Sequence, residues 1–122
     1  MEPRKVDKPW GHELWFAHTD HYVGKLLHVK AGHRLSLQYH EDKDESSYLL
    51  SGRLLLVQGE DADHLVESEI EPGATWRNEP GVVHTVEARE DSVIVEVSTP
   101  EVDDVVRLDD RYGRETLDPA GN

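Results

Sequence analysis

The chain has 122 residues, enough for one hydrophobic core and short for two. It carries 13 Lys and Arg against 26 Asp and Glu, and a net charge of −13 is unfavourable for gripping nucleic-acid phosphates or an anionic membrane surface. There is no cysteine, which excludes disulfides, thiolate metal ligands and cysteine nucleophiles. No apolar run approaches the ~18 residues of a membrane span. The opening Met1-Glu2-Pro3-Arg4 lacks an apolar signal core, so a cytoplasmic protein is expected.

Taken in order, residues 1–11 hold charge, two prolines and a glycine, and read as an N-terminal arm. Apolar runs of strand length then follow at 13–17, 22–29, 35–39, 48–50 and 54–57, with Gly24, Gly32, Gly52 and Gly59 as punctuation. The acidic stretch Glu60-Asp61-Ala62-Asp63 reads as a hairpin tip. Strands resume at 64–70, 74–77, 82–87 and 92–98, with turns at Glu71-Pro72-Gly73 and Glu79-Pro80-Gly81 between them. Helical spacing is weak except at 101–110, where a turn or two of helix is expected, and residues 118–122 read as a frayed end. So many short strands in a small chain predict an all-β sandwich or barrel.

The informative segment runs from Gly32 through His33-Arg34-Leu35-Ser36-Leu37-Gln38-Tyr39-His40 to Glu45 and Gly52. Residues two apart on a strand share a face, so Gln38 and His40 point the same way. Glu45 can return to the same place after the acidic bend at 41–44, and the turn before His84 can aim it there from another strand. Gln38, His40, Glu45 and His84 offer two nitrogens and two oxygens, a set suited to a divalent metal. Zinc is the first choice, and nickel, manganese, cobalt and iron are also admitted. The other histidines (His12, His18, His21, His28, His33 and His64) stand in polar or turn surroundings.

The order Gly32, His40, Glu45, Gly52 resembles the first motif of the cupin superfamily, with Gln38 in the place of its first histidine. Gly73, Gly81 and His84 resemble the second motif, with Glu79 where a proline is usual and Ala88 where an asparagine is usual. Lys8-Pro9-Trp10-Gly11, Leu35 to His40, Asp104-Val105-Val106-Arg107 and Tyr112-Gly113-Arg114 are similar, more narrowly, to the phosphomannose isomerase type II domain. That domain often forms the C-terminal part of bifunctional mannose-1-phosphate guanylyltransferases. The resemblance runs from about residue 8 to 114. It implies a single small cupin, a jelly-roll or double-stranded β-helix barrel over 12–100 flanked by the arm and a tail at 101–122. It also implies a metal-dependent isomerase of mannose-6-phosphate isomerase type, acting on a sugar phosphate. Two rivals stand beside it: a metal-holding sugar-binding module without turnover, and a dioxygenase using two histidines and a carboxylate on iron.

Aldose–ketose isomerisation needs a base, and spacing does not choose among His12, Glu13 and His33. A phosphate needs cationic anchors. Arg34 shares the parity of Ser36, Gln38 and His40, Lys25 matches a basic position of the family, and Arg107 and Arg114 belong to its C-terminal motif. Three places depart from the bifunctional relatives: Lys43 replaces an arginine, and Ser46 and Ser47 replace a histidine and a tryptophan. Lysine keeps the charge but loses the two-pronged grip on phosphate. The same parity turns Leu35, Leu37 and Tyr39 outward, an apolar face for a second subunit, so a homodimer is expected. The arm, with Trp10 and Trp15, is the other candidate cover, and Trp76 is placed at the barrel edge.

Overall fold

The computed structural model describes residues 2–114, so the expected frayed end at 118–122 lies outside the described residues. Among those described there are eleven strands and no helix. The strands are β1 (Arg4–Lys8), β2 (Gly11–His18), β3 (Val23–Val29), β4 (Leu37–Tyr39), β5 (Glu45–Ser51), β6 (Leu54–Gly59), β7 (Leu65–Ile70), β8 (Thr75–Asn78), β9 (Val83–Ala88), β10 (Ser92–Ser98) and β11 (Val106–Asp109). They form two antiparallel sheets, β1-β2-β3-β10-β5-β8 and β11-β4-β9-β6-β7, packed as a barrel. No helix of the described residues is long and apolar enough to cross a membrane.

Period-two patterning makes the interior. β5 alternates buried and exposed from Glu45, and β10 alternates buried with half-buried or exposed from Ser92, so one face of each strand enters the core. Trp10, Leu27, Leu49, Leu54 and Ile94 fill one end and are essentially inaccessible. Gly52 turns the chain between β5 and β6 at φ +93°, where a Cβ would lie 2.2 Å from Ser92 Oγ and 2.6 Å from Ser92 Cα. Only glycine serves there.

Three expectations need correction. The arm contains a strand: β1 pairs with β2 through the turn at Pro9-Trp10. Residues 101–110 are not helical. Val102, Val105 and Val106 mimic helical spacing, but β11 pairs Val106 with Tyr39 and Arg107 with Gln38, covering the edge that β4 would otherwise leave open. Leu35 does not face outward: it is buried in the core with Trp10 and Leu27, and its neighbour Ser36 is buried too. The chain is not a regular strand before Leu37, so parity cannot be carried back through 34–36. The Thr85 hydroxyl satisfies the irregular backbone there, donating to the Leu35 carbonyl at 2.7 Å.

Candidate metal centre

The register sets the interior of the six-stranded sheet in rows. One row runs Val23, Ser98, Glu45, Asn78, and the next runs Trp15, Lys25, Glu96, Ser47, Trp76. The facing sheet contributes Gln38, His84 and Gln58, paired side by side across β4, β9 and β6. His40 follows β4 directly, and its carbonyl accepts from Gly81 N–H at 2.8 Å, so the 79–81 turn docks on it.

The four candidate ligands are thereby brought inside together: Gln38, His40, Glu45 and His84 are all at most 6% exposed. Donor atoms of His40, Glu45 and His84 lie within 4.8 Å of one another. His40 Nε2 is 3.0 Å from Glu45 Oε1, and His84 Nε2 is 3.6 Å from Glu45 Oε2. Both imidazoles have their other nitrogen committed: His84 Nδ1 donates to Val82 O at 2.9 Å and His40 Nδ1 to Asp104 O. That fixes the tautomer and leaves each Nε2 lone pair inward. Among the described residues Gln38 Oε1, His40 Nε2 and Glu45 Oε1 have no hydrogen-bond partner. Buried polar atoms are seldom left so, and one divalent cation would satisfy His40 Nε2 and Glu45 Oε1 together, so the His40, Glu45 and His84 donors fit a metal ion.

Around the ligands lies a layer of buried polar groups. Gln58 Nε2 donates to Asn78 Oδ1 at 2.7 Å, and Asn78 Nδ2 donates to Glu45 Oε2 at 3.2 Å, an amide relay joining the two sheets. The Asp104 carboxylate accepts from Glu41, Asp42 and Lys43 N–H at 3.0, 2.7 and 2.9 Å. Burial resists its ionisation, but these three donors hold its carboxyl below the usual range. The loop so held drops Lys43 into the barrel, fully buried, with Nζ 3.3 Å from Glu45 Oε1 and 4.0 Å from Glu96 Oε2.

Lys43 is enclosed with the ligands alongside Glu13, Lys25 and Glu96. Burial works against a charged Lys43, yet Glu45 and Glu96 raise its pKa. Burial opposes ionisation of Glu45 as well, but the Lys43 ammonium prevails and holds the carboxyl well below its ordinary value. Glu96 goes the other way: burial, and then the Glu45 charge, push its pKa up to about 7. Lys25 is lowered by burial and by Lys43, against the pull of Glu13 3.4 Å away. Burial lowers His84, which keeps its imidazole neutral and able to ligate. A cavity of about 20 Å³ lies between Glu45, Ser47, Asn78, His84 and Glu96. It has room for about one water-sized species.

The four expected anchors scatter. Lys25 is deep in the barrel beneath Trp15, and Arg107 is 9% exposed on β11 opposite Gln38. Arg34 is half-buried, its backbone forming an isolated β-bridge with Glu87, and Arg114 bonds to Asp110 at 3.0 Å. Of the three candidate bases only Glu13 is inside, accepting from Trp15 Nε1 at 2.9 Å. His12 stacks on His28 and His33 on Tyr112, apart from the ligands. Ser47 faces inward, but Ser46 is exposed on the outer surface, so a histidine there would not reach the ligands on this backbone. Sequence reasoning missed Glu96, Asn78 and Gln58. For Glu96 a signal existed, since a lone carboxylate at the inward parity of Ile94 and Ser98 demands a partner.

The chain matches the family described as Mannose-6-phosphate isomerase C-terminal over residues 2–110. It is 36% identical over 117 residues to a mannose-1-phosphate guanylyltransferase of Escherichia coli, covering 91% of this chain and 23% of that protein. It is 33% identical over 117 residues to the xanthan biosynthesis protein XanB of Xanthomonas campestris, covering 91% and 24%. The chain thus spans about a quarter of the length of these curated relatives. In fold it is similar to an RmlC-like cupin from Shewanella frigidimarina, with TM-score 0.70, 15% identity and coverage of 80% and 84%. It is also similar to KdgF from Halomonas sp., with TM-score 0.68, 18% identity and coverage of 83% and 87%. With sequence, register and barrel in agreement, the chain belongs to the mannose-6-phosphate isomerase C-terminal family and has the cupin fold.

Proposed function

We propose that this domain binds one divalent metal through Gln38, His40, Glu45 and His84 and interconverts an aldose phosphate and a ketose phosphate, mannose 6-phosphate and fructose 6-phosphate in the first instance. The observation that carries the reading is the set of buried donor atoms lacking hydrogen bonds, beside two imidazoles whose outer nitrogens are already committed. A metal held there supplies Lewis acidity toward a carbonyl and its neighbouring hydroxyl. The chain's own residues supply the rest. Lys43 keeps Glu45 ionised, and the Asn78–Gln58 relay fixes its second oxygen. Glu96 shares the cavity with Glu45 and His84, and its Oε2 makes no hydrogen bond among the described residues, so it is the carboxylate placed to take a proton from one carbon and return it to the next. Arg107, opposite Gln38, is the cation assigned to the phosphate.

A second reading has its own support. No ligand is more than 6% exposed and the cavity has room for about one water-sized species, which favours a metal-holding module without turnover that takes a sugar outside the cavity. The deciding experiment follows fructose 6-phosphate formation from mannose 6-phosphate by protein stripped and reloaded with each metal, with His84→Ala as control. Metal-dependent turnover lost in the variant supports the isomerase. Metal binding with a thermal shift by mannose 6-phosphate, but no product with any metal, rejects it in favour of the binding module.

A further inference from the structure

One row of metal-ligating side chains lies on the outer surface, away from Gln38, His40, Glu45 and His84. The register lines up Asp7 of β1, His12 of β2 and His28 of β3 across three neighbouring strands. Glu13 is buried inside, so His12, next to it on β2, faces outward, and the row belongs to the outer face of the six-stranded sheet. The two imidazoles stack, with centroids 4.3 Å apart and planes inclined by 13°. His33, His40, His64 and His84 each use a ring nitrogen in a hydrogen bond. His12 and His28 do not: among the described residues neither ring has a hydrogen-bond partner. Both are half-buried and border a hollow of about 310 Å³ together with Lys30, Ser51 and Asp91.

Stacking engages the ring faces and leaves the ring nitrogens of both residues to another partner. An anion is poorly served, because Asp7 and Asp91 stand beside Lys5 and Lys30. Burial, and then the neighbouring His28, lower the pKa of His12, so at neutral pH its ring is a lone-pair donor and not a cation. Neutral imidazoles side by side attract a Lewis acid. Two imidazole nitrogens on one ion, each about 2.0–2.1 Å from it, are about 3 Å apart at a right angle and about 4 Å apart in line. Rings 4.3 Å apart already stand near that separation. The outer torsion of histidine is soft, so a small splay brings one nitrogen of each ring onto the same ion. Asp7 is the third donor: its side chain is 87% exposed, and its approach to Lys5, 3.7 Å, is a loose surface pair that lets it turn toward His12. Two nitrogens and an oxygen, with the remaining positions open to water, suit copper(II), which heads the affinity order of the divalent metals for such donors.

We propose that His12 and His28, with Asp7, form an outer metal site that takes copper(II). It shares no donor with the inner centre and stands whether or not that centre holds a metal. Copper(II) alone is the probe, applied to full-length His84→Ala, in which the inner centre offers a single imidazole. Its electron paramagnetic resonance is expected to show coupling to two imidazole nitrogens. Adding His12→Phe or His28→Phe keeps the ring stack and removes one donor. A donor held in place acts at high effective concentration, so either change is expected to raise the copper dissociation constant by at least about 100-fold and to abolish the two-nitrogen pattern. A reading that needs no change at 12 or 28 is nuclear magnetic resonance, in which substoichiometric copper is expected to broaden the amide signals of Asp7, His12 and His28 ahead of those of His40 and Glu45. Copper taken up equally well with His12→Phe and His28→Phe overturns the proposal. So does broadening centred on His40 and Glu45, or a protein that takes up no copper.

Discussion

Glu96→Gln isolates the energetics of the enclosed charges. In the metal-free protein Glu96 faces Glu45 and lies between Lys43, 4.0 Å away, and Lys25, its cross-strand neighbour. Burial, and then the Glu45 charge, push its pKa from 4.5 to about 7. A carboxyl with a raised folded-state pKa binds a proton that the unfolded chain has already released. Stability is therefore lost as pH rises from the unfolded value through the folded one. Between pH 5 and pH 8 the loss is roughly 2–3 kcal/mol, about 10 °C in melting temperature for a domain of this size. Glutamine keeps the shape and cannot ionise, so that part of the decline disappears. The assay is urea unfolding of metal-stripped wild type and Glu96→Gln across this range, comparing the difference between the two at each pH so that other titrations cancel. The variant should gain on the wild type steadily as pH rises. Parallel curves would refute the placement of Glu96 among these charges.

Other outcomes follow from the same geometry. Lys43→Met removes the cation shared by Glu45 and Glu96 and should destabilise the metal-free protein by about 3–5 kcal/mol in urea at pH 7; unchanged unfolding would contradict the buried ion pairs. Asp104→Ala frees three N–H groups of the Lys43 loop and should cost about 2 kcal/mol at neutral pH. Because the folded-state pKa of Asp104 is lowered, that contribution is present above the ordinary carboxyl range and fades as pH falls through the folded value, so the two proteins converge in acid. Gly24→Ala should cost about 1–3 kcal/mol through its clash with the Phe16 ring, with most of the loss recovered in Gly24→Ala/Phe16→Ala; an additive double variant would argue against the contact.

How far the sequence could be read depended on where strands were regular. From Gln38 to His40 the period-two argument put both side chains on one face, and the structure turns that face inward, because β4 is extended up to His40. Three residues earlier it failed at Leu35, where an isolated bridge replaces the strand and no local signal marks the break. Ser46 stands where the relatives resembled have a histidine, and adjacency to Glu45 looks like proximity, yet neighbours on a strand face opposite ways. The valines of 102–106 have helical spacing, and only the open edge of β4 draws the chain into β11 at Val106, a tertiary fact invisible in the segment itself. Lys43 resisted reading for a related reason. Its burial depends on the Asp104 carboxylate 61 residues away, which gathers the loop backbone and turns the lysine inward.

The central claim is that Gln38, His40, Glu45 and His84 hold a metal. The direct measurement is equilibrium dialysis of stripped protein against zinc, nickel, manganese, cobalt and ferrous iron in turn, the last without oxygen, followed by elemental analysis. One bound ion per chain for at least one metal is expected in the wild type, falling to background in His40→Ala and His84→Ala. A wild type that binds none of them, or variants that bind as well as it does, would contradict the claim.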